Sequence, residues 1–191
     1  MDIPGIRNIT VSGRIGAGAT SLAKGINAVL GWQFSEGGAV TAKFYKEIGA
    51  DEVDVALRPD SSDLAYEAQV KKLLESENHH IVQAHLAGFV AQGIPGVFKI
   101  VVLCEDKDGN DKTEVRIDRL VNRKGITIAE AKRDVREREQ GNLEKWRRLY
   151  VHNDPHWVYW DRKYYDLVVN TYTMNQSESV SYVLTALGIT K

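Results

Sequence analysis

The stretch 13–21 constrains this chain more than any other. It reads Gly-Arg-Ile-Gly-Ala-Gly-Ala-Thr-Ser. Residues 6–12 before it are rich in β-branched side chains and predict a buried strand. After it, Leu22, Ala23, Ile26, Val29 and Leu30 recur at helical spacing over residues 19–30, with Gly31 placed to end the helix. Gly13 and Gly18 stand at the spacing of the pattern G-x-x-x-x-G-K-[ST], and Thr20 fills its hydroxyl position. Glycines let a backbone wrap until its N–H groups converge on an anion at a helix N-terminus. The candidate phosphate-binding set is therefore Gly13, Arg14, Gly16, Ala17, Gly18, Ala19, Thr20 and Ser21, with Thr20 also within reach of Mg²⁺.

The lysine of that pattern is missing, because Ala19 occupies its place. Loss of a cation from a phosphoryl-transfer site removes transition-state stabilisation on the order of several kcal/mol. Arg14 and Lys24 are the nearest replacements in sequence. The plainest alternative is a tight glycine turn that holds no ligand. A dinucleotide-binding turn fits poorly: the glycines do not follow G-x-G-x-x-G, and no acidic residue closes a second strand about 20 residues on.

Beyond the turn, strands and helices alternate. Helices are expected at 39–48 and 62–76, with Asp60, Ser61 and Ser62 as candidate N-caps. Short apolar runs at 80–84, 97–104 and 166–170 predict buried strands, 105–112 is a polar turn, and 177–187 is a closing helix. Near-continuous apolar strands between helices imply a parallel sheet covered on both faces. Two charged helices, near 113–122 and 127–150 with a break at Lys124-Gly125, have too few apolar positions to belong wholly to that core. They read as a helical lid.

Those helices carry Arg116, Arg119, Arg123, Arg133, Arg136, Arg138, Arg147 and Arg148. Interleaved acids allow a solvated face of ion pairs. The sharper reading is a set of guanidinium forks aimed at phosphate.

Composition excludes several classes. With 43% hydrophobic and 27% charged residues over 191 positions, the chain is an ordinary globule of one domain, 1–191. No apolar run approaches the ~20 residues that span a bilayer, and no basic-then-apolar leader opens the chain. The single cysteine, Cys104, leaves no internal disulfide, which fits a cytoplasmic protein. A net charge of −1 gives no field that recruits nucleic acid. His79-His80 and the pair His152 and His156 lack acidic or cysteine partners at metal spacing. Trp157, Tyr159, Trp160, Tyr164 and Tyr165 suit base stacking, but packing around the strand near Asp166 is the simpler reading.

Four segments resemble the cytidylate kinase and cytidylate kinase-like family of short, archaeal-type nucleoside-monophosphate kinases: ITVSGRIGAGATSLAKGINAVLGW, IVQAHLAGFVA, VRIDRLVNRKGITIAEAKRDVREREQGNLEKWRRLY and YYDLVVNT. The lid and last-strand segments are the most specific. The resemblance implies a three-layer αβα P-loop NTPase fold with a parallel sheet, an acceptor-side helical region at about 37–78 and a lid at about 113–150. It implies transfer of a phosphoryl group from ATP, with Mg²⁺, to CMP, dCMP or a related small acceptor. Arg119 and Arg123 match lid arginines that contact nucleotides, and Arg138 and Arg147 match arginines that close over phosphates. Small-molecule nucleotides are the expected partners, with neither nucleic acid nor membrane, for a monomer or homodimer.

The chain departs from the family at Ala19, at His85 in place of an arginine, and at Gln83 in place of an acid near the metal. Residues 35–49 lack the Gly-Asp-x-x-Arg pattern that grips the acceptor phosphate, and no motif places Lys43 or Lys46 as substitutes. These losses at phosphate and metal positions predict weak transfer, or a catalytically inactive nucleotide-binding or partner-binding module.

Overall fold

A computed structural model describes residues 1–189 of the protein. Its centre is a five-stranded sheet in the order β2-β3-β1-β4-β5, with every neighbouring pair parallel. The strands are β1 (Asn8–Gly13), β2 (Gln33–Glu36), β3 (His80–Gln83), β4 (Val97–Leu103) and β5 (Leu167–Asn170). Helices α1 (Ala19–Leu30) and α8 (Gln176–Ala186) cover one face. There Leu22, Ile26 and Val183 pack on Ile9, Val11 and Ile100. On the other face lie α3 (Asp60–Ser76) and the single turn α4 (Ala87–Val90), where Val70 and Leu74 meet Val82 and Val97. The layers are helix, sheet, helix, as the alternation of apolar strands and amphipathic helices requires.

All of β1 is buried, polar residues included. Asn8 is tolerable there because its amide donates to the carbonyls of Leu74 and Glu77, and its oxygen accepts from the His80 amide at 3.0 Å. One side chain thereby ties the end of α3 to β1 and β3.

Several boundaries differ from the sequence expectation. The first strand begins at Asn8 and runs through Gly13; Ile6 makes only an isolated bridge with Ile3. α3 starts at Asp60 behind Pro59, so Asp60, Ser61 and Ser62 lie inside the helix and do not cap it. Proline's fixed φ suits a helix entry. The edge strand β2 has no counterpart in the sequence reading, nor has α4. Helix α2 (Gly37–Ile48) begins two residues earlier than expected.

The charged segment forms α5 (Thr113–Lys124), α6 (Ile128–Arg133) and α7 (Glu139–Tyr150), with a wider π turn over Asp134–Arg138. Gly125 ends α5 in the left-handed conformation, as the Lys124-Gly125 break predicts. Thr127 and Glu130 cap α6 reciprocally. This segment has a small core of its own, Ile117, Leu120, Ala131 and Val135, into which Ile15 of the glycine turn inserts. Trp157, Tyr159, Trp160 and Tyr164 pack with Leu86, Phe89, Leu143 and Trp146, so they are packing residues, but against α4 and α7 and not around β5. No described helix is long and apolar enough to cross a membrane.

Candidate functional site

The glycine turn links the C-terminal end of β1 to α1, and its shape is set by glycine. Gly16 and Gly18 have φ of +78° and +103°, a region that β-carbon sterics close to most residues. A Cβ on Gly13 would lie 2.9 Å from the Val102 carbonyl oxygen, and one on Gly16 would lie 2.5 Å from that of Arg116. The turn is thus pressed between β4 and the first turn of α5.

Its outward-facing groups are taken by neighbouring elements. Arg116 donates to the Ile15 carbonyl at 2.7 Å, and the Ile15 amide donates to Glu139 Oε2 at 3.1 Å. Thr171 Oγ donates to the Ala17 carbonyl at 2.7 Å. The Ala17 amide closes on the Arg14 carbonyl. Among the described residues, the amides of Gly16, Gly18, Ala19 and Thr20 have no protein acceptor. These four N–H groups remain available at the start of α1, whose dipole favours an anion.

The arginine positions separate into two groups. Arg123 and Arg138 line a cavity of about 460 Å³ that starts at this turn. Arg123 is exposed and makes no ion pair among the described residues. Arg138 is buried in the π turn, pairs with Asp134 and Glu52, and leaves Nε without a partner. Arg119 and Arg147 lie off the cavity. Arg119 binds Thr171 through its hydroxyl at 2.8 Å and its carbonyl at 2.7 Å, and so braces the back of the turn. Arg147 donates to the Trp157 carbonyl at 2.9 Å.

Neither candidate for the missing lysine is free. Arg14 pairs with Asp111 and Glu139 and stacks on Trp160 at 4.4 Å. Lys24 pairs with Glu36 on the exposed side of α1. Lys43 likewise sits on an exposed helix face, paired with Glu47. Ala17 is fully buried beneath the turn, Ser21 is half-buried at the start of α1, and neither lines the cavity.

Sequence reasoning did not find Glu139 or Asp111, and it grouped Arg116 with the guanidinium forks aimed at phosphate, whereas Arg116 is spent on the Ile15 carbonyl and these two acids. Arg116 is 1% exposed, and its charge is met by Glu139 at 2.9 Å and Asp111 at 2.9 Å. Burial works against its cationic form, but the two carboxylates outweigh that and raise its pKa. No local signature marks these partners, because Glu139 stands 23 residues away in sequence.

At the end of β3, Gln83 and His85 face the same cavity. Thr20 Oγ donates to Gln83 Oε1 at 3.2 Å, so the two positions that the resemblance assigns to the metal side do meet. Both contribute neutral oxygens. That donor set fits a hard cation whose charge is balanced elsewhere, as by phosphates, and suits a free divalent ion poorly. Among the described residues, no cluster of three or more acids, histidines or cysteines could hold a metal by itself.

His85 Nδ1 lies 2.8 Å from the Gly13 carbonyl, and its ring packs against Trp146 and Tyr159. A carbonyl only accepts, so Nδ1 carries the proton in the neutral ring. Burial above all, then the charge of Arg138, pushes its pKa down to about 4. At neutral pH His85 brings no positive charge to the place where the family has an arginine.

The far wall of the cavity comes from α2, α3 and α7. Arg58 lies just before α3 and donates Nε to both oxygens of Asp63 at 3.1 Å, with Nη2 on Asn142 at 2.9 Å. Lys145 pairs with Asp63 at 2.8 Å and also bonds the Arg58 carbonyl. Phe44, Tyr66 and Trp146 supply flat apolar surface. Glu67 lies beside Tyr66, and its carboxyl is pushed up to about 8 by burial first and the Asp63 charge second.

No protein-family model matches the chain. It is similar along nearly its whole length to curated cytidylate kinases. One from Methanopyrus kandleri is 28% identical over 94% of this chain and 92% of the relative. Another from Thermoplasma volcanium is 28% identical over 92% and 88%. Among solved structures, a gluconokinase from Sinorhizobium meliloti superposes with a TM-score of 0.58 at 18% identity, covering 98% of this chain and 94% of that one. The resemblance read from the glycine turn, the lid and the last strand is borne out, and the fold is that of the P-loop kinases.

Proposed function

We propose that the chain is a kinase-like phosphotransferase of the nucleoside-monophosphate kinase kind. It would move the terminal phosphoryl group of ATP to CMP, dCMP or a related small acceptor in the 460 Å³ cavity. The observation that carries this reading is the row of amides at Gly16, Gly18, Ala19 and Thr20, left without protein acceptors where a cavity opens onto them. Likeness to cytidylate kinases supports the acceptor class.

Phosphoryl transfer needs positioning and charge neutralisation more than covalent help. The amides would hold the donor phosphates, while Arg123 and Arg138 would supply cations from the lid side. Thr20 and Gln83 would offer oxygens to Mg²⁺, which adds charge neutralisation at the phosphates when bound. Arg119 would act through Thr171, fixing the turn from behind. With Ala19 in the lysine position and His85 uncharged, transfer would be slow. A coupled assay of ADP release with CMP, dCMP and UMP tests the reading. Turnover with at least one of them is expected, and its absence even in Ala19→Lys would overturn the transferase claim.

A second reading has one specific support. Both the lysine position and the metal-side acid carry neutral side chains, Ala19 and Gln83, as in a nucleotide-binding module that no longer transfers phosphate. Stabilisation by ATP or ADP without turnover would favour it.

A further inference from the structure

The acceptor end of the cavity holds one polar group that phosphoryl transfer leaves unused. Glu67 lies on α3, one helical turn beyond Asp63, and lines the cavity. Its Oε2 is sealed from solvent and has no hydrogen-bond partner.

The charged and titratable groups around it are accounted for. On its own helix, Asp63 is held by Arg58 and Lys145. Arg58, from the segment before α3, is committed to Asp63 and Asn142, so it leaves no ion pair for Glu67. From α7 comes Tyr150, whose buried hydroxyl also lacks a partner. Helix α4, packed on α3, contributes only Ala, Gly, Phe and Val. Tyr66, adjacent on α3, is the remaining neighbour and stays protonated, since burial raises its pKa.

We propose that Glu67 selects the acceptor by hydrogen-bonding the polar edge of an uncharged nitrogen heterocycle, at the end remote from the transferred phosphoryl group. The proposal rests on the phosphotransferase reading above and deepens its acceptor side. Phe44, Tyr66 and Trp146 along the same wall suit a flat ring. A carboxyl group kept protonated presents an O–H donor beside a C=O acceptor, the complement of a ring edge carrying an acceptor beside a donor. The pKa of about 8 supports that form at neutral pH. Asp63 is already paired with Arg58 and Lys145, so a cationic group at this end would find no free carboxylate waiting.

Calorimetry on wild type, Glu67→Gln and Glu67→Ala tests this, with ATP, CMP and ribose 5-phosphate as probes and thermal melts to verify folding. Glu67→Ala should bind CMP about tenfold or more weakly while ribose 5-phosphate changes less than about twofold, because only the heterocycle reaches Glu67. Glu67→Gln keeps a donor beside an acceptor and should stay within about threefold of wild type for CMP. Wild-type affinity for CMP should fall as pH rises through 8, and Glu67→Gln should show no such fall. An unchanged preference for CMP over ribose 5-phosphate in Glu67→Ala overturns the proposal. So does a Gln variant as weak as the Ala variant, which would mean that an ionised carboxylate is the working form. Wild type that binds ATP but neither acceptor probe overturns the proposal and leaves the donor reading standing. Wild type without ATP binding removes the reading beneath it.

Discussion

The two ends of the cavity are built on different principles. At the glycine turn the groups left open are main-chain amides, and Arg116 and Glu139 on Ile15, with Thr171 on Ala17, hold the loop from outside. At the opposite wall, the proposed acceptor end, the polar groups are side chains, with Arg58, Asp63, Asn142 and Lys145 locked in one buried network and Glu67 left over. A backbone site depends on conformation, so it tolerates the loss of a side chain such as lysine and keeps its shape. A side-chain site changes its specificity with each substitution. That difference is consistent with a donor end still recognisable from its glycines beside an acceptor wall that has left its family pattern.

Several experiments would break or sharpen this contrast. The largest effect is expected from Glu139→Leu. It strips the buried Arg116 of one carboxylate and frees the Ile15 amide, so denaturant unfolding should show a loss of about 3–5 kcal/mol. If stability barely moves, the turn holds its shape without the lid. Gly16→Ala should cost about 3 kcal/mol, since it combines a left-handed backbone with a collision against the Arg116 carbonyl. The same unfolding measurement checks it, together with loss of the heat of ATP binding. Ala19→Lys should raise turnover about a hundredfold in the coupled assay, the usual worth of one well-placed charge stabiliser. No gain would mean that the loop no longer cradles the transferred phosphate.

The two ends should also respond oppositely to pH. His85 has a folded-state pKa below its ordinary value, so the unfolded chain binds the extra proton. Its contribution is present above pH 6.5 and is lost as pH falls towards 4, at most about 3 kcal/mol. Glu67 is raised, so its contribution is complete below pH 4.5 and is lost as pH rises through 8. Between 4.5 and 6.5 the two slopes cancel. Melting temperatures from pH 4 to 9 should therefore be level between about 4.5 and 6.5 and fall on either side, and Glu67→Gln should remove the alkaline decline and turn the level stretch into a rise with pH. The smallest effect belongs to Gly38→Ala. Nothing lies within 4 Å of a Cβ there, and the residue is helical, so the variant should be more stable by up to about 1 kcal/mol. A destabilised variant would show that α2 needs that glycine after all.

Sequence alone made the donor end legible, and for a local reason. Strand, glycine turn and helix are contiguous, and α1 runs over the residues its apolar spacing marks. The lid could be outlined from Gly125 and the charge pattern. What stayed hidden depends on distance in sequence or on brevity. β2 has four residues, none fully buried, so it carries no apolar run to notice. The Arg116–Glu139 pair joins helices across a π turn that no spacing rule anticipates. Arg119 and Arg147 matched lid arginines by position, yet their guanidinium groups reach the carbonyls of Thr171 and Trp157, contacts set only by tertiary packing. Glu67 looks like any exposed glutamate on a polar helix until the fold buries its Oε2 without a partner.

The anchoring of the glycine turn limits how the arginine-bearing segment can travel. Arg116 at one end and Glu139 at the other are both fastened to Ile15, so the flap cannot swing out as a rigid arm from a single pivot. The arc between those rivets is held as well, since Leu120, Ala131 and Val135 close around the same Ile15. The segment is a strap buckled at both ends, with the exposed Arg123 on its open side and the buried Arg138 directly beside one buckle.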